Sequence, residues 1–112
     1  MGISDQDFSR DAQRALDAIE SNLERLMDDI DLDLDIERQG NVLTLTFADD
    51  SKIIVNSHEA AREIWVAARS GGFHYRHDGS HWVDGRNGDE LFAVLSRLVS
   101  AQSGQAVRLQ PG

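Results

Sequence analysis

Nine carboxylates stand between Asp17 and Glu37, against one base, Arg25. Two spacings run through them. Asp17, Glu20, Glu24 and Asp28 recur every three or four residues, which puts them on one face of a helix as an acidic ridge. Asp31, Asp33, Asp35 and Glu37 alternate with Leu32, Leu34 and Ile36, the period of a strand with one apolar and one acidic face. Asp29 lies at the junction. Carboxylates are hard ligands for hard cations: Mg²⁺, Ca²⁺, Mn²⁺ and, more weakly held, Fe²⁺ or Fe³⁺. Alternate strand residues lie about 6.5–7 Å apart. Metal–oxygen bonds are about 2–2.5 Å long, so flexible acids close the gap only with waters completing the shell. Such a site is open, weak and exchangeable, suited to loading and releasing a metal rather than to holding a structural ion. The candidate ligands are Glu20, Glu24, Asp28, Asp29, Asp31, Asp33, Asp35 and Glu37.

Other readings of these residues are available. Asp31, Asp33 and Asp35 match the first three ligand positions of an EF-hand loop, but the required Gly and Glu further on are Ile36 and Val42 here, which excludes it. An acidic strand edge also guards against edge-to-edge aggregation, and a charge run is usually a solvated face. His58, His74, His77 and His81 lack helical metal-ligand spacing, and no cysteine is present to help them, so surface or turn roles are expected. No nucleophile-elbow, phosphate-cradling or dinucleotide motif occurs. A carboxylate acid–base pair needs one pKa raised by burial, and these acids sit on what should be a solvated face. A conventional enzyme is therefore not expected. Iron oxidation on the acidic surface would be chemistry of the metal.

The elements that position these groups follow from pattern. Residues 4–28 predict a helix, with Phe8, Ala12, Leu16, Ile19, Leu23 and Met27 as its apolar stripe and Ser4 as N-cap, paired with Asp7. Residues 31–37, 42–47 and 52–56 predict three antiparallel strands in meander order, joined by turns at Gln39-Gly40-Asn41 and Asp49-Asp50-Ser51. Residues 59–69 read two ways: Ala, Arg and Glu favour helix, while Ile64-Trp65-Val66 favours strand. Residues 73–77 and 81–83 flank Asp78-Gly79 as a hairpin. Asn87 is expected to cap a second helix with Glu90 at its third position and Leu91, Val94, Leu95 and Leu98 facing inward. Gly104 lies just beyond its end, and 106–109 is a short apolar tail. The expected architecture is α+β, a two-layer sandwich of two helices on one antiparallel sheet.

At 112 residues and 40% hydrophobic, the chain is expected to form one domain, residues 1–112. Its 20 acids and 11 bases give a net charge of −9. That argues against nucleic acid and anionic membranes, both of which need a basic face. The imbalance sits wholly in residues 1–56, which hold 14 acids and 5 bases, whereas 57–112 hold 6 of each. No apolar run reaches the ~18 residues of a membrane span. With no cysteine, thiolate metal sites and disulfides are excluded. The N-terminus has neither a basic nor an apolar leader segment, so a cytoplasmic address is expected.

The stretches DLDLDIE, NVLTLTFADDSKIIVN and IWVAARSGGFHY, followed by Trp82 and its hairpin-to-helix passage, resemble the frataxin family, in particular its bacterial members. The resemblance spans roughly residues 4–109. It implies two terminal helices on one face of an antiparallel sheet and makes the segment around Trp65 a strand. The family often has proline just before that strand; Ala60 stands here. The mitochondrial members begin with a basic targeting segment, which this sequence lacks. The resemblance further implies a role in iron–sulfur cluster assembly, through weak iron binding and contact with a cysteine desulfurase and its scaffold protein. The chain is expected to be monomeric without iron. On a strand, Trp65 lies between inward-facing Ile64 and Val66 and so points to the uncovered side of the sheet. An outward Trp is common at binding hot spots. In the family the matching Trp belongs to the partner-binding surface, and Asn56 is expected to share it. Trp82 is expected to pack toward the core. The competing reading is an acidic protein-interaction module that attracts cations nonspecifically.

Overall fold

A computed structural model describes residues 5–111. Its elements are α1 (Asp5–Ile30), β1 (Leu34–Gln39), β2 (Val42–Phe47), β3 (Lys52–His58), β4 (Glu63–Ala68), β5 (Gly71–His77), β6 (Trp82–Asp84) and α2 (Leu91–Ser103). The strands form one antiparallel sheet in the order β1-β2-β3-β4-β5-β6. Both helices cover one face of it. The α+β sandwich expected from the pattern is the observed fold. No described helix is long and apolar enough to cross a membrane.

The core follows from the two periodicities. From α1, Phe8, Ala12, Leu16, Ile19 and Leu23 are buried, and Met27 packs at the margin. From the sheet come Leu43, Leu45, Ile53, Val55, Ile64, Val66 and Tyr75, and from α2 come Leu91, Val94, Leu95 and Leu98. Trp82 is also buried, meeting Phe8 edge-on at 5.8 Å. The segment that propensity left open is a turn followed by β4. Arg62 takes φ 54 in the turn, and Ile64 and Val66 fill the core.

Three sequence expectations shift. Asp31 to Asp33 are not in the strand. Asp31 adopts φ 54, a left-handed conformation that Asp tolerates better than most residues, and this turns the chain out of α1. The ladder then starts at Leu34, opposite Phe47. Leu32 is nonetheless buried between exposed Asp31 and Asp33, so the alternation reported burial correctly and pairing too early. Second, Asn87 does not cap α2. Gly88 has φ 77, which no helical first turn accepts. Asn87 instead accepts from the Asp89 N–H at 2.9 Å, and Glu90 is the N-cap, accepting from Phe92 and Ala93 N–H at 2.8 and 3.0 Å. Third, β3 runs on to His58 and β5 begins at Gly71, each two residues beyond the expected bound. The cap expected at Ser4 lies outside the described residues.

Candidate functional site

The acids of α1 and β1 border one edge of the molecule from two sides. Arg38 points to the helix side of β1. Its guanidinium donates to Asp17 at 2.6 Å and to Glu20 at 3.2 Å, and it also meets Gln13. The Asp17 hydrogen bond is the main cause of an Arg38 pKa raised above the ordinary arginine value, with burial partly opposing it. Two of the nine acids are therefore neutralised from a position just outside the run, and Glu20 is an ion-pair partner before it is a ligand. The other seven, Glu24, Asp28, Asp29, Asp31, Asp33, Asp35 and Glu37, are exposed and make no ion pair among the described residues. Glu24, Asp28 and Asp29 belong to the last turns of α1. Asp35 and Glu37 face the opposite way, onto the uncovered sheet face, where the register sets them beside Thr46 and Thr44.

Among the described residues, no three His or carboxylate side chains converge closely enough to hold a metal. The acidic edge is thus a high density of separate carboxylates. Coulomb repulsion at such an edge is relieved by mobile cations.

The uncovered sheet face carries a second feature. The register aligns Val42, Asn56, Trp65 and His74 in one row across β2, β3, β4 and β5. Trp65 points outward, as alternation required, and is half-buried. His58 stacks on one face of the indole at 4.1 Å and His74 on the other at 4.5 Å, with interplanar angles of 14° and 10°. The indole Nε1 donates to Glu63 Oε1 at 2.8 Å, and Glu63 Oε2 accepts from Arg76 Nε at 2.8 Å. His58 is fixed in turn, its Nδ1 accepting from the Ala61 N–H at 3.2 Å. The rings therefore form a rigid stack that presents indole edge and imidazole faces. Sequence reasoning left both histidines as generic surface residues. The signal was available in register: counting pairs across β3, β4 and β5 sets His74 opposite Trp65 and His58 one diagonal step away.

Asn56 lies directly opposite Trp65, and its Oδ1 accepts from Asn41 Nδ2 at 3.4 Å. Glu37 and Asp35 share this face with Trp65, three strands away, a separation of about 14 Å at the usual strand spacing. One partner surface of ordinary size spans both.

Taken together, fold and surfaces give a two-layer sandwich with an acidic edge and an open, aromatic-bearing sheet face. The frataxin-like domain profile matches residues 1–105. The chain is 50% identical over 107 residues to the iron–sulfur cluster assembly protein CyaY of Cupriavidus pinatubonensis, covering 96% of each chain. It is also 50% identical over 109 residues to that of Janthinobacterium sp. (strain Marseille), covering 96% of this chain and 97% of the relative. Among solved structures, frataxin from Psychromonas ingrahamii superposes with a TM-score of 0.79 at 30% identity, covering 96% of this chain and 99% of that one. Trimeric frataxin from Saccharomyces cerevisiae, complexed with ferrous iron, gives 0.73 at 27% identity over 85% and 87%. The chain belongs to the frataxin family.

Proposed function

We propose that this protein serves iron–sulfur cluster assembly in the bacterial cytoplasm as an iron-binding accessory and regulator. It holds Fe²⁺ or Fe³⁺ weakly on the acidic edge and docks on the cysteine desulfurase–scaffold complex, and it is monomeric without iron. The observation that carries the reading is the set of seven unpaired, solvent-exposed carboxylates from Glu24 to Glu37. Exposed hard ligands that do not converge give fast exchange and low affinity, the properties a delivery surface needs. Other divalent cations of similar hardness compete for the same groups. The names of the relatives, iron–sulfur cluster assembly proteins, and the ferrous complex of the yeast frataxin support the same direction.

The docking half of the proposal rests on the uncovered sheet face. Asp35 and Glu37 supply charge to match a basic patch on the desulfurase, and the stack around Trp65, with Asn56 beside it, supplies a rigid anchor. Because the indole faces are already covered, the anchor works through its edge and the flanking imidazoles.

The lack of convergence also favours a second reading, an interaction module around which cations gather without inner-shell bonds. Anaerobic calorimetric titration of Fe²⁺ at low and moderate salt separates the two. Inner-shell coordination keeps most of its affinity as salt rises and weakens when Asp31, Asp33 and Asp35 become Asn. Diffuse attraction fades with ionic strength alone. A titration that disappears at moderate salt would remove the iron-site half of the proposal.

A further inference from the structure

A strand at the edge of a sheet presents main-chain groups that have no neighbour. The two edges of this sheet differ. Strand β6 is three residues long, and its own loop folds over it: Val83 bridges Glu90, and the Asp84 N–H donates to the Asp89 carbonyl at 2.9 Å. Strand β1 is six residues long, and among the described residues nothing pairs with its outer side.

The hydrogen bonds of β2 decide which groups stand there. Phe47 donates its N–H to the Ser51 carbonyl and accepts from the Asp50 N–H, both at 2.9 Å, so its main chain is turned away from β1. Alternation along β2 then turns Thr46, Thr44 and Val42 toward β1, where the register sets them opposite Asp35, Glu37 and Gln39. Leu34, Ile36 and Arg38 are left with their N–H and C=O groups directed outward, none of them bonded among the described residues.

Carboxylates flank this free edge on both sides. On the uncovered face, exposed Asp35 and Glu37 alternate with the outward-directed groups. On the helix face, Arg38 meets Asp17 and Glu20, which sets the level of α1 against β1. The two elements run in opposite directions. Four helical residues advance about 6 Å, against about 6.8 Å for two strand residues. Glu24 therefore stands level with Ile36, and Asp28 level with Leu34; both acids are exposed.

A strand laid along β1 thus finds acids beside its side chains on either face. A second copy of β1 does not fit, because pairing would set Asp35 and Glu37 of one chain against those of the other, and like charges across a ladder are destabilising. An extended segment with Lys or Arg on both of its faces meets opposite charge at every step and receives three main-chain donors and three acceptors.

We infer that the free edge of β1 is a strand-addition site for a basic extended segment of a partner protein, whose main chain bonds to Leu34, Ile36 and Arg38. The inference rests on the docking role proposed above for Asp35 and Glu37 and gives that contact its form: a seventh strand rather than two charged surfaces held face to face.

The test is NMR titration of the full chain with an N-acetylated, C-amidated hexapeptide, Lys-Val-Arg-Lys-Val-Arg, and with Lys-Pro-Arg-Lys-Pro-Arg, which has the same charge but lacks two N–H donors. The first peptide is expected to bind saturably, more weakly as salt rises. It should slow solvent exchange at the amides of Leu34, Ile36 and Arg38 and leave those of Asp35 and Glu37, already bonded to β2, unchanged. The proline peptide should bind about tenfold more weakly, the scale of a lost hydrogen bond at the edge. Ile36→Pro removes one outward N–H at an edge position, where a strand tolerates proline, and should weaken the first peptide by a similar factor in a chain shown to be folded by circular dichroism. Equal binding of the two peptides, exchange that is not slowed at alternate residues, or undiminished binding by folded Ile36→Pro would overturn strand addition while leaving the edge a docking surface for bases. No binding of either peptide would overturn both the inference and the docking role of Asp35 and Glu37.

Discussion

Tyr75 is the only tyrosine in the chain and is fully buried, with its hydroxyl lacking any hydrogen-bond partner. It stands opposite Asp84 in the β5–β6 ladder, whose Oδ2 is likewise buried and unpartnered. Burial, reinforced by the nearby Asp84 charge, raises the phenol pKa far above its ordinary value. Two consequences follow for Tyr75→Phe. At neutral pH the change removes a desolvated hydroxyl that gains nothing in return, a cost of about 1–3 kcal/mol on mutational scales. Allowing for lost van der Waals contact, the variant should be more stable by about 1 kcal/mol, or about 4 °C in Tm for a domain of this size. At alkaline pH the folded chain holds the phenolic proton more tightly than the unfolded chain. That contribution to stability is intact below the unfolded pKa of about 10 and is lost as pH rises above it, at about 1.4 kcal/mol per pH unit. Wild type should therefore lose stability above pH ~10 more steeply than Tyr75→Phe, measured by urea unfolding across that range. Because no other tyrosine absorbs, the tyrosinate band should appear only together with loss of the native circular dichroism. A tyrosinate band that grows in near pH 10 while the fold stays intact would refute the reasoning, as would a Tyr75→Phe variant destabilised by more than 1 kcal/mol.

The remaining expectations concern the surfaces and the corrected cap. Moderate salt should raise the Tm of wild type, because it screens the unpaired acids. Arg38→Ala, which releases Asp17 and Glu20, should cost about 1 kcal/mol in urea unfolding and steepen that salt dependence; salt-independent melting in both proteins would contradict the charge argument. Trp65→Arg should still fold, since the indole lies outside the core, but lose about 1–3 kcal/mol from two ring stacks and the Glu63 hydrogen bond, read from thermal melts. The same variant should bind iron as wild type does in calorimetry, yet bind the desulfurase–scaffold complex about 30-fold more weakly, in line with a loss of about 2 kcal/mol at a hot spot. Glu90→Ala should destabilise the chain by about 1 kcal/mol and Asn87→Ala by clearly less, the reverse of the order expected had Asn87 been the cap.

How much of this was legible depends on what kind of signal each feature leaves. Strands β1 to β3 and both helices were readable because one face of each is buried, and burial writes its period into the sequence. The acidic run was equally plain, being contiguous. Bounds failed where a single backbone angle decides. The left-handed Asp31 and the positive φ of Gly88 moved the start of a strand and of a helix, and no periodicity encodes either angle. Features built from residues distant in sequence were harder still. Arg38 lies one residue beyond the acidic run and neutralises side chains 21 and 18 positions earlier. The stack of His58, Trp65 and His74 joins three strands, and it becomes visible only once the register is known.

The central claim, that the acidic edge is where iron is held, is tested most directly by NMR titration with Fe²⁺ under anaerobic conditions, following amide broadening residue by residue. The account predicts broadening confined to residues 24–37 at substoichiometric metal, persisting at moderate salt, while the amides of His58, His74, His77 and His81 stay sharp. Broadening centred on those histidines, with residues 24–37 unaffected, would contradict it.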